Sequence, residues 1–258
     1  GAFLERTGIA DYFIQVANGL VGRFSGGPAK VAVVASALEG VVSGSSVANT
    51  VGSGAVTIPL MKKAGYKPEF AGAAEAAAST GGQIMPPIMG AAAFLMADYV
   101  QLPYGQIALK AVLPALLYFA GIFISVHLEA KKVGLKGLPK EELPKLKPLL
   151  KKSYLLLPLV LLIYLVSTSQ KSIQYAAALS IVACIVVTLF SRETRITPMR
   201  LLEALAAGGQ GSITVAAACG IAGIIAGTIT MTGLANVIIN GIVVLAGDSV
   251  LIALFLTM

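Results

Sequence analysis

The chain is short of the residues that enzymes and soluble surfaces rely on. Among 258 residues it has one histidine, two cysteines, and charge at only 12% of positions. A soluble globular domain carries charge at about a quarter of its positions, so that class is excluded. Cys184 and Cys219 lie in apolar spans without paired spacing, which supports neither a disulfide framework nor a metal cluster. A lone His127, with no HExxH or P-loop pattern and no grouping of acids with bases, leaves an enzyme without its usual parts. No enzyme activity and no cofactor are expected.

What is present is apolar. Hydrophobic residues make up 57% of the chain, and the mean hydropathy is +0.86. Runs free of Asp, Glu, Lys and Arg extend over 111–126, 153–170, 172–190 and 204–247. A membrane-crossing helix needs about 20 such residues, so an all-α polytopic membrane protein is expected. The chain opens on Gly1 without a basic leader and stops at Met258 inside an apolar run, which reads as a piece of a longer protein.

The net charge of +7 does not point to nucleic acid, because it is concentrated. Eight lysines (131, 132, 136, 140, 145, 147, 151 and 152) crowd one Pro-interrupted segment between apolar spans. Such a loop is cytoplasmic by the positive-inside rule, with anionic membrane lipids as its neighbours. Parity then orients the rest. Helix 106–128 descends from an external turn at 98–103, and the segment 67–97 rises from the cytoplasm. Segment 27–61 has Arg23 and Lys30 at its start and Lys62 and Lys63 at its end, so it enters and leaves on the cytoplasmic side as a re-entrant hairpin. Its arms, Pro28 to Val42 and Ala55 to Leu60, are too short to cross singly. Downstream, spans 153–170 and 172–190 lead to a basic cytoplasmic turn at 191–195.

Two polar interruptions fall inside this apolar background. Val42 to Gly54 reads VSGSSVANTVGSG; glycine costs a helix about 1 kcal/mol per residue, and Ser, Thr and Asn compete for backbone hydrogen bonds. Ala76 to Gly90 reads AAASTGGQIMPPIMG, where paired prolines remove donors and disfavour helix in the preceding residue. Irregular backbone at membrane depth is tolerated where it is packed in protein or lines a watery cavity. Hydroxyls and carbonyls freed at the first break, with carbonyls of Ser79 to Gly82, suit a small hard cation; amides opening the second half-helix suit a carboxylate.

Thr7 to Ile14 (TGIADYFI) matches Thr232 to Ile239 (TGLANVII) at an offset of 225. Parity places the two copies on opposite sides, the mark of an inverted repeat. Residues 1–130 then form a first repeat, 131–152 a cytoplasmic loop, and 153–258 the start of a second, with helices at 153–170, 172–190, 204–232 and 234–246, ending before a second hairpin.

The blocks SGSSVANTVGSGAVTIPLMKKAGY and AAEAAASTGGQIMPPIMGAAAFLMADY resemble the large membrane subunit of tripartite ATP-independent periplasmic (TRAP) transporters, most of all the fused-permease branch served by TAXI-type binding proteins. The resemblance covers essentially the whole chain and is weakest over 131–200. It implies an inverted-repeat, ion-transporter-like fold with a re-entrant hairpin and broken helices, in a bacterial or archaeal cytoplasmic membrane. It implies an elevator-type permease that imports small organic acids with Na+ as coupling ion, from a periplasmic binding protein. Residue by residue it implies a sodium site at Ser43, Gly44, Ser45, Ser46, Asn49, Thr80, Gly81 and Gly82. Asn49, Thr50, Pro86 and Pro87 would border the substrate. A channel or passive scaffold is the other class the breaks allow.

Glu39 and Glu75 are carboxyls within apolar stretches, which are costly enough in a membrane to signal function. Each either tunes the cation site or pairs with a lysine at the cytoplasmic edge. His127, beside Glu129 at a span's end, reads as an interfacial anchor.

Overall fold

A computed structural model describes residues 2–5, 7–139, 141, 143–144, 146–168, 172–189, 197–247 and 249–257. The described residues are helical, without strands. Two compact units divide the chain, Gly1–Gln210 and Gly211–Met258. The expected basic turn at 191–195, and Arg6, Lys140 and Lys145, lie outside the described residues.

The first unit opens with α1 (Ala2–Glu5) and the amphipathic α2 (Ile9–Val21). Next come α3 (Gly27–Ser43) and α4 (Ser46–Lys63), the two arms of a helical hairpin. Pro28 stands in the first turn of α3, where its missing N–H costs no hydrogen bond. The arms pack on each other, and α3 also packs on α2, on α5 (Pro68–Gly81) and on α7 (Tyr104–Val133). Most of α3 is consequently buried around its whole circumference, including Ala29, Ala32 and Ala35. Small side chains let helix backbones approach closely, the usual basis of helix association in membranes.

The second arm departs from expectation. Interruption is confined to Gly44 and Ser45, and helix resumes at Ser46 rather than Ala55. The glycine- and hydroxyl-rich stretch stays helical because its hydroxyls turn inward along the helix. Thr50 Oγ1 donates to Ser46 O at 2.8 Å, while Ser53 Oγ and Thr57 Oγ1 lie 2.8 and 3.0 Å from the carbonyls four residues back and give their single protons to Glu75. Ser45, extended at φ −125°, caps the new helix by accepting from Ala48 N at 3.3 Å.

The broken segment follows. α5 ends at Gly81, a non-helical stretch runs over 82–90, and α6 (Ala91–Val100) resumes. α7 has 30 residues, about 45 Å at 1.5 Å per residue, enough to cross a bilayer core. It closes on Lys131 and Lys132, which suit the negative end of the helix dipole. The lysine-rich segment is not all loop: it holds α8 (Leu146–Lys151). A 3-10 turn (Ser153–Leu156) leads into α9 (Leu157–Ser167), and α10 (Ile173–Leu189) packs against it. Lys30, read as flanking the start of the hairpin on the cytoplasmic side, is 5% exposed; its ammonium lies 5.3 Å from the Phe123 ring centroid.

α11 (Pro198–Met231) carries the chain across the boundary between units. The second unit continues with α12 (Leu234–Ala246) packed on α13 (Val250–Thr257). α2 and α12 are alike in detail: both have 13 residues, and each follows a left-handed glycine, Gly8 at φ 77° and Gly233 at φ 68°. Helices α7 and 199–231 are long and apolar enough to cross a membrane, and shorter apolar helices accompany them.

Candidate functional site

The hairpin tip is seated on the helix break. Gly44 adopts φ 62°, which favours glycine, and a Cβ there would lie 2.2 Å from Met89 O. Gly40 and Gly82 are in backbone contact; a Cβ on Gly40 would come within 2.4 Å of Gly82 Cα. Side chains complete the seam: Gln83 Nε2 donates to Ser46 Oγ at 2.8 Å. Ser43 lies beside the tip, its Oγ accepting from Ser45 N at 3.3 Å.

Asn49 is the pivot of this seam. It is 1% exposed. Its Nδ2 donates to Ser36 O at 2.9 Å, joining the two arms, and stands 2.9 Å from where a Gly82 Cβ would be. Its Oδ1 is buried without a partner. An orphaned buried carbonyl oxygen costs about 1–3 kcal/mol unless something occupies it.

The eight residues matched to a sodium site do not all converge. Ser43, Gly44, Ser45, Ser46, Asn49 and Gly82 meet at the seam. Gly81 instead faces α7, where a Cβ would meet the Phe119 and Tyr118 rings at 2.6 and 2.8 Å. Thr80 is exposed, with its hydroxyl donating to Ala76 O at 2.8 Å. Helical rotation explains both: consecutive residues at the end of α5 point about 100° apart, so 80, 81 and 82 cannot share one face. Their backbone carbonyls each accept one bond from the following turn, to Gln83 N, Ile84 N and Met85 N, leaving a second lone pair on each oxygen.

The substrate quartet is likewise divided. Pro86 and Pro87 line an apolar cavity of about 250 Å³ with Met85, Ala108, Leu116 and Val166. Asn49 lines a different cavity of about 170 Å³, and Thr50 lines neither. Tyr104 holds the break from below by donating to Ile88 O at 2.6 Å and lying 2.9 Å from Pro87 O.

The largest element that sequence reading missed is a hydroxyl cage around Glu75. This residue is 0% exposed. Its Oε1 accepts from Ser36, Ser53 and Ser79 at 3.1, 2.6 and 3.1 Å, and its Oε2 accepts from Thr57 at 2.5 Å. Three helices are tied through one carboxyl. The expected lysine partner is therefore corrected: among the described residues neither Glu75 nor Glu39 has an ion pair. A signal for the cage existed, since Asn49, Ser53 and Thr57 recur every four residues and so form one polar stripe on α4.

A family model described as the tripartite ATP-independent periplasmic transporter, DctM component, matches residues 1–258. The chain belongs to the DctM family of TRAP transporters. It is 28% identical over 207 residues to the C4-dicarboxylate TRAP transporter large permease protein DctM of Pseudomonas aeruginosa, covering 79% of this chain and 48% of that protein. It is 34% identical over 139 residues to the protein of that name from Vibrio cholerae, covering 54% and 30%. With the sialic acid TRAP transporter large permease protein SiaM of Vibrio cholerae it shares 29% identity over 140 residues, covering 54% and 32%. The matches thus span less than half the length of these relatives. Membership makes the chain part of an all-α membrane transporter rather than an enzyme.

Proposed function

We propose that this TRAP permease chain forms the first binding half of a sodium-coupled secondary transporter for organic acids. The observation that carries the reading is the seam itself: a hairpin tip packed on a helix break, with the buried Asn49 Oδ1 unpartnered beside it. Sodium would be held by oxygens of Ser43, Gly44, Ser45, Ser46 and Asn49, with Thr80, Gly81 and Gly82 contributing backbone carbonyls. Asn49, Thr50, Pro86 and Pro87 would border the substrate. Both kinds of substrate named for the relatives above, C4-dicarboxylate and sialic acid, are carboxylates, which supports an anionic cargo. A periplasmic binding protein, of TAXI type by the resemblance of the sequence blocks, would deliver it to a bacterial or archaeal cytoplasmic membrane.

The likeness of α2 and α12 at an offset of 225 residues supports repeats at 1–130 and from 153, joined by a cytoplasmic loop at 131–152. An elevator movement of the hairpin and broken helix as one body would carry the site across, since cation and substrate together must favour the mobile state. Uptake of a carboxylate by the complete transporter in liposomes tests this. Saturable uptake that requires both an inward sodium gradient and the binding protein is expected; conduction without either would mean a channel.

A further inference from the structure

A cavity of about 610 Å³ opens beside α2, where stretches far apart in sequence meet: α1 with α2, Lys152 and Leu155 just after α8, and Arg200 near the start of α11. The hairpin reaches it through Val56 of α4. The topology read from the sequence puts α2, the end of the lysine-rich loop and the start of α11 on the cytoplasmic side. Their meeting at one cavity is what a shared side requires.

The charges are divided between its walls. Glu5 and Asp11 come from α1 and α2, whereas Lys152 and Arg200 come from the segments that follow α8 and open α11. Among the described residues no ion pair joins either acid to Arg200. Two acids and two bases leave no net charge, so neither a plain cation nor a plain anion matches the whole cavity. A molecule that carries one charge of each sign does.

An apolar track leads away from the cavity. Val47, Val51, Ala55, Val56 and Pro59 of α4 are all exposed. From Val56 to Val47 the helix rises about 14 Å at 1.5 Å per residue, close to the hydrocarbon depth of one leaflet, about 15 Å. A charge-balanced cavity at the cytoplasmic end of an apolar track of leaflet length has the form of a phospholipid.

We propose that the cavity binds the headgroup of an aminophospholipid of the phosphatidylethanolamine class from the cytoplasmic leaflet, with an acyl chain laid along α4. Lys152 and Arg200 hold the phosphate, which the guanidinium matches with paired donors. Glu5 and Asp11 accept from the primary ammonium, which has three N–H donors. A glycerol headgroup would bring a net negative charge beside two carboxylates. A choline headgroup would keep the charge balance but offer those carboxylates no N–H. The lipid joins α2, the hairpin and the start of α11. Nothing in this site depends on sodium coupling or on the identity of the cargo.

The test is the lipid kept by the purified full-length permease after washing in mild detergent with equal amounts of phosphatidylethanolamine, phosphatidylglycerol and phosphatidylcholine, read by native mass spectrometry. Wild type is expected to keep one phosphatidylethanolamine per chain. Arg200→Gln should lower that retention by about tenfold or more, the loss of one charge-assisted contact. Asp11→Asn combined with Glu5→Gln should still hold a phospholipid but lose the preference for ethanolamine over choline. These substitutions fall on exposed residues, and the variants should match wild type in size-exclusion profile. Wild type that keeps no lipid, because the rest of the permease covers the track, would overturn the proposal. So would a preference for phosphatidylglycerol, or equal retention by wild type and Arg200→Gln. Displacement by chain-free phosphoethanolamine as readily as by whole lipid would mean a soluble zwitterion, and would overturn it as well.

Discussion

Replacing Glu75 with alanine removes the acceptor on which three helices converge. Four hydroxyls lose a partner, but not equally. Ser53 and Thr57 keep fallback acceptors in Asn49 O at 2.8 Å and Ser53 O at 3.0 Å. Ser36 can turn to Ser53 Oγ at 3.3 Å, so the loss falls on Ser79, which is fully buried. At about 1–3 kcal/mol for an orphaned buried hydroxyl, Glu75→Ala should destabilise by at least about 1–3 kcal/mol, before any cavity is counted. Glu75→Gln separates shape from charge. Its Oε1 can still accept from Ser36, Ser53 and Ser79, and its Nε2 can donate to Thr57 Oγ1, whose hydrogen then turns to Ser53 O. Charge-assisted bonds are about twice as strong as neutral ones, so the amide should cost about 1–2 kcal/mol. Reversible unfolding of the full-length permease in mixed micelles reads both. Alanine and glutamine variants indistinguishable from wild type would refute the cage as a structural tie.

Gly40→Ala should destabilise by about 3 kcal/mol or more, the upper end for overpacking, because its methyl would meet Gly82 backbone that cannot turn aside. Gly81→Ala, whose methyl meets the rings of Tyr118 and Phe119, should cost less; equal costs in an unfolding titration would contradict the hairpin-on-break contact. For topology, a cysteine at Lys136 should react with an impermeant thiol reagent from the cytoplasm and one at Gln101 from the periplasm. The reverse pattern would invert the assigned orientation.

Helix ends were legible wherever proline, glycine and charge coincide. Pro28 does open α3, and α12 runs over 234–246. The length of the first break was not legible. Residues 47–54 have a breaker's composition, yet Thr50 bonds within the helix, Ser53 reaches Glu75 and the packed arm holds it. Convergence at the site was legible in part. Gly44 and Gly82 need small residues because backbone meets backbone, and their local pattern shows it. Thr80 and Gly81 share the motif but face elsewhere, since a motif read as a string carries no helical rotation. The partners of Glu75 on α3 and α4 are 39, 22 and 18 residues away in sequence. Only tertiary packing brings those hydroxyls to one carboxyl.

The seam between hairpin tip and helix break is tested most directly by the sodium dependence of uptake in Asn49→Ala. The complete transporter in liposomes should take up its carboxylate more slowly with this substitution and need more sodium to reach half its maximal rate. Identical sodium curves for wild type and variant, in protein shown to be folded, would contradict a cation held at Asn49.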